Sequence, residues 1–244
     1  GDVDNDNDVD ATDASLLNLA FGSTPGGGNW DPRADLNEDD TVSGADMALL
    51  AAHYGESGDL TTGPGPSSWG TASEPLPAFG TVARPLGSGV TVGANPGSTQ
   101  VAMDEIVTLD LVVQAGSQQV DTVDLYLAYP TANLQPVDAA GNPITSIQSA
   151  GSFANQLANE IDGAQGLIHF AAATSGTALS GDIGVATLRF KGLVPISQAL
   201  LRFRMWEPSQ SLVLYRGQSV GDVWSVTTVR VTGGEGLYLP MVVR

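Results

Sequence analysis

DVDNDNDVDATD (Asp2 to Asp13) and DLNEDDTVSGAD (Asp35 to Asp46) carry one twelve-residue pattern twice, 33 residues apart. Oxygen-bearing side chains fall at positions 1, 3, 5, 9 and 12 of each stretch, with a valine at position 8. A hard divalent cation such as Ca²⁺ takes roughly six to eight oxygens from a short winding loop, and this is the ligand order of an EF-hand-type calcium loop. In the first loop, side-chain ligands are expected from Asp2, Asp4, Asp6 and Asp13, a backbone carbonyl from Asp8, and a direct or water-mediated contact from Asp10. In the second they are Asp35, Asn37, Asp39 and Asp46, with the Thr41 carbonyl and Ser43 beside the water. Two calcium ions are therefore expected. A register starting at Asp4 would put Ser15 at position 12 and move Val9 off its packing position, and is rejected.

Position 6, where such loops turn sharply on glycine, is Asn7 and Asp40. These residue types tolerate the left-handed backbone best after glycine. Position 12 is aspartate in both loops, a shorter reach than glutamate, which points to a structural site and not a switch. Each loop runs into an apolar helical stretch, ASLLNLAFG (14–22) and MALLAAHYG (47–55). Leu16, Leu17 and Ala20, and again Leu49, Leu50 and His53, recur at helical spacing, and Gly22 and Gly55 stand where helices end.

No helix precedes the first loop, so the unit is loop then helix, twice. This duplication resembles the dockerin module over residues 1–56. The resemblance implies partner-recognition residues at loop positions 10 and 11, here Ala11 and Thr12, and Gly44 and Ala45. The two pairs differ, which argues against two equivalent, two-fold-related binding modes.

Residues 1–60 hold fourteen acidic side chains and one basic one, Arg33, out of a net charge of −18 for the 244-residue chain. Without a cation these carboxylates repel one another, so the first module is expected to loosen. Nucleic acid is excluded as a partner, because no basic patch could neutralise phosphates. The chain has no cysteine, which removes disulfides, thiolate metal sites and thiol catalysis. Extracellular modules of this type bind calcium at roughly 10⁻⁴–10⁻³ M, so an extracellular or cell-surface location is expected, with any leader absent from this chain. No apolar run approaches a membrane span, and no Asn-x-Ser/Thr sequon occurs.

Residues 57–85 read as a linker rich in Gly, Pro, Ser and Thr, with Trp69 able to dock it onto a module. Over residues 86–244 the period changes to two. Ile106–Ala115, Val123–Pro130, Gly166–Thr174, Gly184–Gly192, Ala199–Trp206, Ser211–Gly217 and Trp224–Thr232 read as strands. Their spacing predicts an antiparallel jelly-roll sandwich, so the fold is multidomain: a small all-α EF-hand-type pair plus an all-β sandwich. The strand DEIVTLDLVV, then VDTVDLYLAYPTANLQPV with Tyr-Pro at a strand end, then the glycine-led GLIHFAAATSGTALSGDIGVATLRFKG, resemble the cohesin module. The final stretch, EGLYLPMVVR (235–244), is expected to be an edge strand or a tail that pairs with a neighbouring subunit.

No hydrolase, phosphate-loop or dinucleotide motif occurs, and neither His53 nor His169 is expected to be catalytic. Glu160 and Asp162 read as a solvated rim before Gly163. No enzyme is expected. The resemblances together imply a calcium-dependent assembly protein, with the first module a plug for a sandwich socket, most simply that of the next subunit, giving head-to-tail polymers. Capture within one chain is also open, as is docking onto another cohesin or dockerin protein, which would make the chain a linear adaptor. The alternative is a carbohydrate-binding surface protein anchored through its first module, with Trp206, Tyr215 and Trp224 stacking on sugar rings.

Overall fold

The computed structural model describes residues 1–57, 89–205 and 210–233. Trp69, Trp206, the stretch 235–244 and nearly all of the expected linker lie outside the described residues.

The first module has two helices, α1 (Ala11–Ala20) and α2 (Gly44–Ala52). Each is capped by the residue at loop position 9. The side chains of Asp10 and Ser43 accept N–H bonds from the first turn, while Asp13 and Asp46 return the bond to the cap backbone. Such capping boxes satisfy orphan helix donors and fix where the chain enters the helix. Gly22 and Gly55 lie beyond the helix ends at φ +80° and +85°, which spares a β-carbon a steric penalty there. The halves interlock through position 8: Val42 exchanges backbone bonds with Gly22 and Ser23, and Val9 with Gly55 and Glu56. Val3, Val9, Ala14, Leu17, Val42, Met47 and Leu50 fill the space between them.

The second module is a two-sheet sandwich. Its strands are β1 (Val90–Asn95), β2 (Ser98–Ala102), β3 (Ile106–Gln114), β4 (Thr122–Ala128), β5 (Leu134–Pro136), β6 (Gln148–Ser149) and β7 (Asn155–Asp162). They continue with β8 (Leu167–Ala173), β9 (Asp182–Gly192), β10 (Ile196–Phe203), β11 (Leu212–Tyr215), β12 (Gln218–Ser219), β13 (Gly221–Trp224) and β14 (Thr227–Thr232). One sheet runs β13-β1-β3-β9-β5, with β6 also on β9. In the other, β7 pairs β8 and β8 pairs β4. The far edge of β4 is shared by β11, near its start, and β10, near its end; β14 and β2 follow. The chain crosses between sheets from β1 to β2 and from β13 to β14. Both crossings give parallel neighbours, β1 with β13 and β2 with β14.

Strand β3 alternates as its sequence predicts, with Val107, Leu109, Leu111 and Val113 inward and Thr108 and Asp110 outward. Strands β4 and β8 do not. In β8, Ile168, Phe170 and Ala172 join the sandwich core, yet the opposite face, His169, Ala171 and Ala173, is buried as well. The first module covers that outer face. Ala171 and Ala173 join its apolar cluster with Leu157 of β7, and small side chains there let α1 approach closely.

Strand β7 carries no strand signal of its own, because NQLANEID is mostly polar and a bulge between Gln156 and Ala158 breaks its period. Its end behaves as the expected rim. Glu160 and Asp162 are exposed, and Asp162 accepts the N–H groups of Ala164 and Gln165 in the turn.

Candidate metal centre and docking interface

The two loops repeat one hydrogen-bond pattern residue by residue. Asp2 accepts the N–H groups of Asp6 and Asn7, and Asp35 those of Asp39 and Asp40. Asp4 accepts from Asp6, and Asn37 from Asp39; Asp6 accepts from Asp8, and Asp39 from Thr41. Position 12 closes each loop. Asp13 takes the N–H groups of Val3, Asp4 and Asp10, and Asp46 those of Leu36, Asn37 and Ser43. Left-handed φ values occur at Asn7 and Asp40, as position 6 requires, and also at Asn5 and Glu38, two residues earlier.

One carboxylate oxygen each from Asp2, Asp4 and Asp13 gather within 4.8 Å of one another. The same positions in the second loop hold Asp35, Asn37 and Asp46. Burial, with Asp6 as the strongest repelling charge, pushes the Asp4 carboxyl up to about 6. Burial also raises Asp13 to about 7, against the hydrogen bonds it accepts and with Asp4 adding to the rise. Converging desolvated carboxylates of this kind call for a compensating cation, and all-oxygen donors suit a hard one. The donor set therefore fits calcium. Asp8, an expected carbonyl ligand, is exposed and bridges to Ser57 through its backbone. Asp10 and Ser43 serve as helix caps, and Thr41 is half-buried on the loop rim.

The module lies on the outer face of β4, β7, β8 and β11 through a set of buried polar bonds. The Ser15 hydroxyl donates to Asp121 Oδ1 at 2.7 Å and accepts the Gly217 N–H at 2.7 Å. Asp121 Oδ2 takes the Arg216 N–H in the β11–β12 turn. Asn18 Nδ2 donates to Thr174 Oγ1 at 2.7 Å, and its carbonyl accepts the Gly176 N–H. From the far side of the module, the Tyr54 hydroxyl donates to Asp124 Oδ2 at 3.0 Å. Leu16 and Phe21 lie against Gly217 and Gly176, where a β-carbon would come within 3.2 and 3.1 Å of them.

His169 continues this network. Its Nε2 meets Asp124 Oδ1 at 2.9 Å and its Nδ1 meets Glu160 Oε1 at 3.3 Å, while Tyr126 stacks on the ring. Two carboxylate acceptors on the two ring nitrogens select the imidazolium, which alone donates from both. Burial opposes the charge, but Asp124 and then Glu160 outweigh it, so the His169 pKa is raised. A raised histidine pKa stabilises the fold fully below its unfolded value and loses that contribution as pH climbs through the folded value. We expect His169→Gln to destabilise the chain by about 1.5–3 kcal/mol near pH 6. The deficit should shrink at alkaline pH, as the ring loses its charge and donates from one nitrogen only. Equal deficits in thermal unfolding at both pH values would contradict this.

The expected recognition residues are distributed unevenly. Ala11 is fully buried at the start of α1, Thr12 faces Gly217, and Gly44 and Ala45 are exposed. The interface bonds come instead from Ser15, Asn18 and Tyr54, which the sequence reading did not select. The available signal was the polar Ser15 and Asn18 within the otherwise apolar run of residues 14–22. Of the aromatics offered for sugar stacking, Trp224 packs on the sandwich core with its ring edge-to-face to Phe203 at 5.3 Å. Tyr215 also packs against that core.

A duplicated oxygen-rich loop–helix pair is seated on a β-sandwich. Residues 1–54 match the family model of the dockerin type I domain. Domains of that family are non-catalytic assembly modules, generally calcium-binding and typically extracellular. No curated protein matches the chain. Among solved structures, the sandwich region is similar to a type II cohesin domain from Acetivibrio cellulolyticus: 18% identity, 57% of this chain, 93% of that one, TM-score 0.46. A non-cellulosomal cohesin from Archaeoglobus fulgidus is similar at 19% identity, 59% of this chain, 91% of that one and TM-score 0.45. A type I cohesin–dockerin complex from Clostridium thermocellum is similar at 8% identity, 59% of this chain, 99% of that one and TM-score 0.46. Among the described residues no helix is long and apolar enough to cross a membrane.

Proposed function

We propose that this chain is a calcium-dependent extracellular assembly protein. Residues 1–56 act as a plug, residues 57–85 as a linker, and the sandwich of residues 86–244 as the socket. Two calcium ions, one per loop, hold the plug rigid. One observation carries the reading: the plug sits on an outer sheet face whose Asp121, Asp124 and His169 would otherwise be solvent-facing charges. Burying polar groups on both sides of a contact is tolerated only when they find partners, and Ser15, Asn18, Tyr54, Asp121, Asp124 and His169 do.

The same contact can be made within one chain or between copies. Exchange of the plug between copies joins unlike surfaces, and such heterologous contacts build rings or open filaments. We expect monomers at low concentration, with the plug on its own sandwich. Refolding the plug at high concentration, by adding calcium to chelated protein, should give head-to-tail oligomers. Light scattering over a concentration series in millimolar calcium and in chelator tests this. Monomers under every condition would eliminate the exchange and leave the closed form.

A further inference from the structure

The plug is built from two halves related by a 33-residue repeat, so it could in principle seat either way round. Three positions on the seating surface break that equivalence. Ser15 corresponds to Ala48, Asn18 to Ala51, and Tyr54 to Phe21. Every position where one half offers a polar group to the sandwich is apolar in the other. We propose that Ser15, Asn18 and Tyr54 form a one-way orientation code that admits the plug in the seating seen here and rejects its reverse. The proposal rests on the plug-and-socket reading and deepens it.

The reverse seating shows why. Ala48 would face Asp121 and the Gly217 N–H, leaving the carboxylate without its hydroxyl donor and the amide without its acceptor. Ala51 would face Thr174 and the Gly176 N–H, which Asn18 satisfies together. Phe21 would face Asp124, which is only 6% exposed, and could donate nothing to it. Meanwhile Ser15 would take the place of Ala48, which is exposed, where its hydroxyl meets water and gains nothing. A buried group stripped of its partner bears the full desolvation cost, while a polar group returned to solvent recovers little. Three such losses on one surface should hold the reverse seating below about one molecule in a hundred.

The absence of native cysteine allows a direct test in the full chain. Leu19 and Ala52 are exposed mates across the repeat, and Thr177 is exposed beside Gly176, which touches Phe21 at the end of α1. Spin labels at Leu19→Cys with Thr177→Cys should give one short distance in millimolar calcium, and labels at Ala52→Cys with Thr177→Cys one longer distance. In the exchanged background (Ser15→Ala, Asn18→Ala, Phe21→Tyr, Ala48→Ser, Ala51→Asn, Tyr54→Phe) the two distances should trade places. Both distances at comparable weight in the native background would overturn the code, as would an exchanged background that keeps the native distances. Should the exchanged background fail to take up calcium, the native pair of distances still decides. Broad distributions from both native pairs in calcium would overturn the docking itself, a result distinct from docking in two orientations.

Discussion

Asp13→Ala is expected to abolish cation binding by the first loop and to melt α1. Asp13 is fully buried, and its two oxygens take three backbone N–H groups as well as facing Asp2 and Asp4. Alanine leaves those donors unsatisfied, at about 1–3 kcal/mol each. One of those three bonds, from the Asp10 N–H, is also the returning half of the capping box that starts α1. A module of this size has only a few kcal/mol in hand, so the sum exceeds what the first half can lose. Titration calorimetry should fall from two ions to one at most, and the helical circular dichroism of the module should drop. Because Ser15 and Asn18 ride on α1, the seat on the sandwich should fail with it, whereas Asp46→Ala should first disturb α2 and the Tyr54 contact. Calcium uptake and helix content matching the native chain would refute the role assigned to position 12.

The second large effect is an inversion of pH dependence by calcium. In the cation-free fold, burial and neighbouring carboxylates raise Asp4 to about 6 and Asp13 to about 7 from an ordinary 3.8. An acid whose pKa is raised by folding favours the fold when protonated. Its contribution is complete below pH 4 and is lost as pH rises through the folded values. Chelated protein should therefore lose stability in its first module between pH 5 and pH 8. At roughly 1.4 kcal/mol per unit, discounted for coupling and solvent screening, the loss is a few kcal/mol. Calcium takes the place of those protons, so the loaded module should gain from pH 5 to pH 8, where ligands are ionised without competition. Thermal melts in chelator and in millimolar calcium should thus slope in opposite directions over that range. Parallel slopes would mean the loops hold no divalent ion.

Much of this was legible in the chain because it is local. Two Asp-rich stretches in one register dictate a winding loop, and the valine at position 8 dictates which way the loop packs. Asn7 and Asp40 adopt the left-handed backbone that their place in the pattern requires, and Val107, Leu109, Leu111 and Val113 go inward as their alternation states. Legibility failed where the outside of a sheet is covered by something distant in sequence. His169, Ala171 and Ala173 lie on the outward face of β8, which a half-buried strand gives to water. The run of alanines there was a signal of burial on both faces that alternation alone does not decode.

What the sequence by itself determined is the chemistry of the parts: a repeated oxygen-rich loop suited to a hard cation, helices with defined starts and stops, and β-strands with one apolar face. Only the tertiary structure decided that the loop–helix pair rests on this chain's own sandwich, and by which side. The bonds that fix that side, Ser15 to Asp121, Tyr54 to Asp124 and Asn18 to Thr174, join residues 106, 70 and 156 positions apart. Helical and strand periodicities describe which face of one element is apolar; they carry no information about which distant face will meet it.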